Sequence, residues 1–162
     1  NVAQYRLNTR LFVARDLDTT FAFFADAGNL QRLTPPWLEF RILTPQPIAM
    51  HPGALIDYQI RVHGVPVRWR TDIAEWAPPH QFVDQQLRGP YWQWHHTHRF
   101  EAVEGGTMVD DTVLYRPIGG ALAHALLVRR DLERIFTFRQ QEILKVFGVP
   151  ARDPIAVTIE RL

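Results

Sequence analysis

The sequence contains neither cysteine nor serine, and Lys145 is its one lysine. Without cysteine the chain cannot form a disulfide framework, a thiolate metal site or a cysteine nucleophile. The absence of serine excludes a serine nucleophile. A Schiff-base mechanism would depend on Lys145, which lies in a helical pattern far along the chain, and we discount it. The common covalent mechanisms are therefore excluded or disfavoured.

Long apolar runs and concentrated charge are also missing. No uninterrupted apolar run approaches the length of a membrane span, and residues 1–10 lack the charged-then-apolar order of a secretory signal. The net charge is +1, and no basic run is available to follow a nucleic-acid backbone. No glycine-rich phosphate loop or dinucleotide fingerprint occurs. We therefore predict a cytoplasmic protein with no cofactor, no nucleic-acid partner and no integral membrane segment.

What the sequence does contain fits one domain over residues 1–162. Hydrophobic residues make up 46% of the chain, and a chain of this length can bury a stable core without disulfides or a structural metal. Alternating apolar residues predict a first strand over 4–13. A helix over 19–25 follows, and Asp16 or Asp18 can cap it.

The pattern then changes from helical spacing to alternation. A second short helix over 29–33 ends at Pro35 and Pro36, because proline cannot donate the backbone bond and clashes with the preceding turn. Turn signals divide the next part of the chain into strands with short connections, which favour antiparallel neighbours. The six strands predicted here cover residues 38–43, 54–63, 67–76, 81–88, 92–103 and 107–116.

The longest periodic segment covers residues 121–147. Its apolar stripe at helical spacing predicts a long C-terminal helix that packs on the sheet. Gly148 is placed to end this helix in a left-handed conformation, and Pro150 blocks its continuation. Within 151–162, residues 155–159 form either a short extra strand or part of a loose tail.

Aromatic and titratable residues are concentrated in the segment 89–100, GPYWQWHHTHRF. Read as a strand, this segment turns five side chains to one face and His95 to the other. The five are Trp92, Trp94, His96, His98 and Phe100. An aromatic face that carries two histidines suits the wall of a ligand pocket better than a plain core.

Several short motifs occur in a fixed order along nearly the whole chain. They are Leu33-Thr34-Pro35-Pro36-Trp37, Gly53 with Asp57-Tyr58, Trp69 with Ile73, Phe82-Val83-Asp84 with Gln86, Gly89-Pro90-Tyr91, Trp94 with His96 and His98, Gly106-Thr107 with Asp111 and Tyr115, and Phe136 with Arg139. Together with the order of elements, these motifs resemble the START-like, helix-grip fold of the SRPBCC superfamily. The resemblance is narrower to its polyketide cyclase/dehydrase and lipid transport-like branch.

This resemblance implies an α+β helix-grip fold. A curved seven-stranded antiparallel sheet would wrap around the long C-terminal helix, two short helices would follow the first strand, and a cavity would lie between sheet and helix. The resemblance also implies that Phe82, Asp84 and Gln86 face this cavity, a point that strand parity leaves open because apolar residues there divide evenly between the two faces.

Strand parity selects further polar groups of the cavity. Taking Trp69 as inward also turns Thr71 inward. In the last strand of the meander, the face with more β-branched and aromatic residues carries Asp111 and Tyr115, which leaves Asp110 to solvent.

Arg139 lies within the apolar stripe of the long helix, four residues after Ile135 and four before Ile143. A guanidinium in this position must reach solvent or find a carboxylate, since it stays charged when buried. Asp84 and Asp111 are its candidate partners.

These features favour a binding protein that encloses a small hydrophobic or amphipathic molecule between sheet and helix. The predicted ligand-binding residues are Trp69, Thr71, Phe82, Asp84, Gln86, Trp94, His96, His98, Asp111, Tyr115, Phe136 and Arg139. Neither the ligand nor a protein partner follows from the sequence.

The alternative is a cofactor-independent cyclase, dehydratase or hydrolase. In it His96 or His98 acts as general acid or base, and Asp111, Arg139 or Tyr115 positions the histidine. The same groups can also serve structure alone, because buried polar residues often only hydrogen-bond one another. The sequence leaves open whether the protein is an enzyme.

Metal binding is a sharper hypothesis for the histidines. His96 and His98 project to the same side of a strand and can share one ion, but His95 points away. A third ligand would have to be Asp84, Asp111 or another residue that the sequence does not place, and no histidine-glutamate motif is present. We therefore predict no metal.

An interaction protein is a third possibility, in which exposed Trp37, Trp76 or the segment 155–162 meets a partner. Single exposed aromatic side chains need no such explanation, so the sequence gives this hypothesis little support.

Overall fold

One antiparallel sheet is the main element of the computed structural model, which describes residues 2–162. Its strands are β1 Tyr5–Val13, β2 Arg41–Ile42, β3 Leu55–Val62, β4 Val65–Ala77, β5 Gln81–Arg88, β6 Tyr91–Val103, β7 Gly106–Pro117 and β8 Val157–Arg161. Their order across the sheet is β2-β3-β4-β5-β6-β7-β1-β8. The short turns between β3 and β7 produce a meander, and β1 and β8 extend it beyond β7.

Four α-helices accompany the sheet in the described part of the chain. They are α1 Leu17–Ala25, α2 Leu30–Leu33, α3 Gly120–Ala123 and α4 Arg129–Phe147. Asp16 caps α1, since its carboxylate accepts the backbone N–H of Thr19 at 3.0 Å, which satisfies one of the free donors at a helix start. Among residues 2–162, none of the helices is both long and apolar enough to cross a membrane.

The apolar stripe of α4 explains its position on the concave face of the sheet. Leu132, Phe136, Ile143 and Phe147 are all buried along it. The helix ends at Gly148, whose φ of 65° is left-handed, as predicted from the glycine and the proline that follow it. This packing places one side of α4 opposite the inner faces of β4 to β7.

The predicted helix-grip architecture is confirmed, with three corrections of detail. The sheet has eight strands rather than seven, because Val157–Arg161 pairs with β1. The strand predicted over 38–43 shrinks to Arg41–Ile42, since Pro36–Leu38 forms a 3₁₀ turn and Glu39 adopts a left-handed φ of 44°. The predicted helix over 121–147 is divided by a π-helical turn at His124–Val128.

Trp92 does not face inward as predicted. A register shift between Tyr91 and Gln93 interrupts the alternation of β6 against β7, and such a bulge turns the residues before it to the opposite face. Trp92 is therefore 65% exposed. Trp94, by contrast, is buried, and regular parity holds from there to Phe100.

Candidate functional site

A cavity of about 680 Å³ lies between the inner face of the sheet and α4. Its wall is formed chiefly by aromatic and aliphatic side chains, among them Phe40, Tyr58, Trp69, Tyr91, Trp94 and Phe136. The rings contact one another: Tyr58 stacks on Trp69 with ring centroids 5.7 Å apart, and Trp69 meets Trp94 edge to face at 5.4 Å. These contacts fix a rigid apolar surface, because paired rings in such geometries stabilise each other.

Strand pairing gathers four titratable side chains beside the cavity. Asp84 on β5 lies directly opposite His96 on β6, and His98 on β6 lies opposite Asp111 on β7. Side chains of directly opposed residues project to the same face. Since His96 and His98 are two residues apart, all four side chains point inward and meet.

His98 occupies the middle of this cluster as a neutral ring. Its Nε2–H donates to Asp84 Oδ2 at 2.5 Å, and its Nδ1 accepts from Arg139 Nη2 at 3.5 Å. One nitrogen that donates and one that accepts define the neutral Nε2–H tautomer. The ring also stacks on Phe82 at 4.1 Å, which holds its plane.

His96 is oriented from behind by Asp111. Its Nε2–H donates to Asp111 Oδ1 at 2.7 Å, and Thr9 Oγ1 donates to Asp111 Oδ2 at 2.9 Å. The other ring nitrogen, Nδ1, lies 3.8 Å from Asp84 Oδ2, too far for a hydrogen bond. The carboxylate of Asp111, 1% exposed, is thus a buried anchor for the imidazole.

Arg139 supplies the positive charge of the cluster from α4. Its Nη2 lies 3.6 Å from Asp111 Oδ1, and its guanidinium carbon lies 5.4 Å from the centre of the Phe24 ring. The prediction that a buried arginine in the stripe must find a carboxylate is therefore met by Asp111. This ion pair ties the helix to the inner face of the sheet.

The surroundings determine the charge of each group. Burial raises the pKa of Asp111, but the Arg139 guanidinium and the hydrogen bond from His96 together hold it well below its ordinary value. Burial also acts to raise the pKa of Asp84, and the nearby His96 and the hydrogen bond from His98 outweigh it, so the pKa ends lowered. Burial and the neighbouring His96 lower the pKa of His98 to about 4. At neutral pH both carboxylates are ionised and His98 is neutral.

The geometry fits a hydrogen-bond network better than a metal site. Asp84, His96 and His98 bring possible ligand atoms within 4.8 Å of one another. However, the two imidazoles stack with centroids 3.7 Å apart and planes inclined by 22°. Because a nitrogen lone pair lies in the plane of its ring, nearly parallel rings do not direct both lone pairs at one ion. The absence of a metal stays a prediction.

Nine of the twelve predicted ligand-binding residues line the cavity. They are Trp69, Thr71, Phe82, Asp84, Trp94, His96, His98, Phe136 and Arg139. Their roles in binding stay predictions.

The other three lie elsewhere. Asp111 is behind His96 and is not part of the cavity wall. The Gln86 amide donates to the Tyr91 carbonyl at 2.7 Å and accepts the Tyr91 N–H at 3.1 Å, so it holds the turn between β5 and β6. Tyr115 hydrogen-bonds His124 at 2.7 Å, away from the histidine cluster.

Sequence reasoning missed several groups around the site. Tyr58 shares its parity with buried Ile56 and Ile60 on β3, so alternation could have identified it. Thr9 shares its parity with Leu7 and Leu11 on β1 in the same way. Phe40 follows the left-handed Glu39 in an irregular segment, where no periodic signal exists.

The exposed aromatics proposed as partner contacts differ in their environment. Trp37 is 47% exposed, with the Arg134 guanidinium 4.8 Å above its ring. Trp76 is partly buried and packs on Phe21 at 5.4 Å and on Phe82 at 5.6 Å. A protein partner for either ring stays a prediction.

A curved antiparallel sheet that closes on a long helix around an aromatic cavity defines an α+β protein of the helix-grip class. Residues 13–141 match the family model described as polyketide cyclase / dehydrase and lipid transport. The match covers most of the chain, so the protein belongs to this family of the SRPBCC superfamily. No curated protein matches the sequence.

Solved structures share the fold at low sequence identity. The Zhui aromatase/cyclase from Streptomyces sp. R1128 superposes with a TM-score of 0.67 at 16% identity over 90% of this chain and 94% of that chain. Protein Ms6760 from Mycobacterium smegmatis superposes with a TM-score of 0.65 at 16% identity, over 88% of this chain and 90% of that chain. Ara h 8.0201 superposes with a TM-score of 0.59 at 14% identity, over 88% of this chain and 99% of that chain. At this identity the likeness shows the fold alone.

Proposed function

We propose that the protein binds a small, mostly hydrophobic molecule in the cavity between the sheet and α4, with the polar end of the molecule at the cluster of Asp84, His96, His98, Asp111 and Arg139. The observation that carries this proposal is the cavity itself, about 680 Å³ in volume and walled by aromatic side chains. That volume lies within the range of roughly 300–1,000 Å³ found for small-molecule sites. The family description, which names both cyclases and lipid transport, supports the same class of ligand.

The free energy expected from burying a ligand in this cavity is large enough for measurable binding. A molecule that buries about 200 Å² of apolar surface gains roughly 5 kcal/mol from the hydrophobic effect. Ordering the ligand and the cavity side chains offsets part of this gain. The paired rings of Trp69 and Trp94 reduce that cost, because they are held in place before the ligand arrives.

Titration with N-phenyl-1-naphthylamine, an uncharged fluorescent probe, tests the proposal. We expect saturable binding of one probe molecule per chain. Thr71→Tyr places a large side chain into the cavity and should weaken binding at least tenfold. Thr97→Tyr, the same change on the outward face of β6, should leave binding unchanged. Equal affinities of the two variants, or no saturable binding by the wild type, would contradict the proposal.

A second candidate function is acid–base catalysis by His96. The observation in its favour is that Asp111 holds Nε2–H while Nδ1 makes no hydrogen bond within residues 2–162, which is the orientation of a general base. His98 is less suited, since both of its ring nitrogens already have partners. The reaction would be a cyclisation, dehydration or hydrolysis.

His96→Gln distinguishes catalysis from binding. If His96 is a general base, the variant keeps the affinity for N-phenyl-1-naphthylamine and loses turnover of any substrate found by screening. His98→Gln serves as the matched comparison. Turnover that survives in His96→Gln would exclude this role.

We also propose that residues 1–162 act as one domain and that the protein is cytoplasmic. The continuous sheet from β2 to β8 supports the first proposal. The absence of cysteine agrees with a reducing compartment and supports the second.

A further inference from the structure

Asp84 is the charged group of the cluster that is most open to the cavity. Its side chain is 20% exposed, compared with 8% for His96, 7% for His98, 8% for Arg139 and 1% for Asp111. Oδ2 of Asp84 accepts from His98. Oδ1 makes no hydrogen bond to any group in residues 2–162, and the residue lines the cavity. A ligand therefore meets a carboxylate oxygen with a vacant acceptor site.

The positive charge of the cluster is less accessible. The Arg139 guanidinium lies beside the buried Asp111, and its Nη2 also faces His98. The cluster contains two ionised carboxylates, Asp84 and Asp111, and one guanidinium. His98 is a neutral ring in the observed hydrogen-bond pattern. Because the Asp84 side chain is more exposed than the Arg139 side chain, 20% against 8%, an anion in the cavity would be repelled by the Asp84 carboxylate.

Resting on the proposed function above, we infer that the polar end of the ligand is a hydrogen-bond donor, either a hydroxyl or an amine, and that carboxylates are discriminated against. A hydroxyl donates to Asp84 Oδ1 and leaves no buried charge unpaired. An ammonium adds a charge-assisted bond to the same oxygen. A ligand carboxylate offers no proton to Asp84 at neutral pH.

The Asp84 charge also acts on its surroundings in the cavity wall. Burial raises the pKa of the Tyr58 hydroxyl well above its ordinary value, and the Asp84 carboxylate adds to the effect. Tyr58 therefore stays protonated and gives the cavity no competing anion.

Three pyrene derivatives of one size test the inference on the full chain at pH 7: 1-pyrenemethanol, 1-pyrenemethylamine and 1-pyrenecarboxylic acid. Fluorescence titration measures the Kd of each. We expect the alcohol and the amine to bind at least tenfold more tightly than the acid. If the acid binds as tightly as the alcohol, the inference is wrong while the proposed function stands. If none of the three binds, the proposed function fails and the inference fails with it.

The variant Asp84→Asn tests whether this carboxylate causes the selectivity for the alcohol and the amine over the acid. Asparagine has nearly the same shape and no charge, so the difference between alcohol and acid should fall to less than threefold, and the amine should lose its advantage. Asp72→Asn removes one carboxylate from the neighbouring strand β4, outside the cavity wall, and should keep the wild-type selectivity. Selectivity that persists in Asp84→Asn would overturn the assignment. Circular dichroism verifies that each variant is folded, and the wild-type comparison of the three probes holds independently of them.

Discussion

Replacing Arg139 with methionine tests whether the buried cluster joins α4 to the sheet through charge. Arg139 Nη2 and Asp111 Oδ1 lie 3.6 Å apart, and the two side chains are 8% and 1% exposed. Two unit charges at this distance interact by about 5 kcal/mol at an effective dielectric constant of about 20. The variant leaves the Asp111 carboxylate buried without its cation. We therefore expect the free energy of unfolding to fall by about 3–5 kcal/mol.

Urea unfolding measures this loss, and a double-mutant cycle isolates its cause. Asp111→Asn alone leaves Arg139 unpaired, whereas the combined variant removes both charges. We expect the double variant to be at least about 2 kcal/mol more stable than the sum of the single losses predicts, as is typical of residues in direct contact. Additive losses would show that the two side chains do not act as a pair.

Arg70→Met is the matched control for the same chemical change. Arg70 Nε lies only 2.8 Å from Asp57 Oδ1, but these side chains are 48% and 38% exposed. A pair at the surface contributes about 0–1 kcal/mol, because solvent screens it. Equal losses in Arg139→Met and Arg70→Met, or a loss below about 1 kcal/mol in Arg139→Met, would refute the argument from burial.

Three further predictions follow from the site. The pKa of His98 is about 4 in the folded protein, against an ordinary value of 6.5. Between pH 6.5 and pH 4 the unfolded chain therefore binds more protons than the folded one. Lowering the pH through this window should reduce the free energy of unfolding by about 3 kcal/mol. His98→Gln should flatten this part of the profile, and an unchanged slope would contradict the shift. Trp94→Ala should cost about 3–5 kcal/mol, whereas Trp92→Ala, at a side chain 65% exposed, should change stability by less than about 0.5 kcal/mol; similar losses would argue against the bulge. Equimolar Zn²⁺ should leave Tm unchanged, and a rise of several degrees in the wild type that is lost in His96→Gln would contradict the prediction of no metal at Asp84, His96 and His98.

Much of the fold could be predicted because periodicity and turn residues are local signals. The bounds of β5 agree with the predicted 81–88, β6 begins one residue earlier than predicted, and β7 is one residue longer than predicted at each end. These strands are long and alternate strongly. The segment 38–43 is short and follows two prolines, so its irregular backbone depends on tertiary contacts that alternation does not encode.

The cluster itself could be predicted only in part. Parity placed His96, His98 and Asp111 on inward faces, and helical spacing placed Arg139 in the apolar stripe. Which carboxylate would meet Arg139 depended on the register between β5, β6 and β7, and register is a property of paired strands rather than of one segment.

The bulge beside Tyr91 shows the limit of parity. One added residue in β6 reverses the faces of the residues before it, so Tyr91 lines the cavity and Trp92 faces outward. Nothing in the alternation of Trp92 and Trp94 signals this change, because both are aromatic. A bulge is set by the partner strand and the turn, and so it becomes visible only in the folded sheet.

A crystal structure of the full chain grown with saturating 1-pyrenemethanol tests the central claim most directly. We expect one molecule between the sheet and α4, with its ring against Trp69 and Trp94 and its hydroxyl at about 3 Å from Asp84 Oδ1. A cavity that is collapsed or filled by the protein's own side chains would contradict the claim that this protein encloses a ligand there. A probe bound only at the outer surface would contradict it as well.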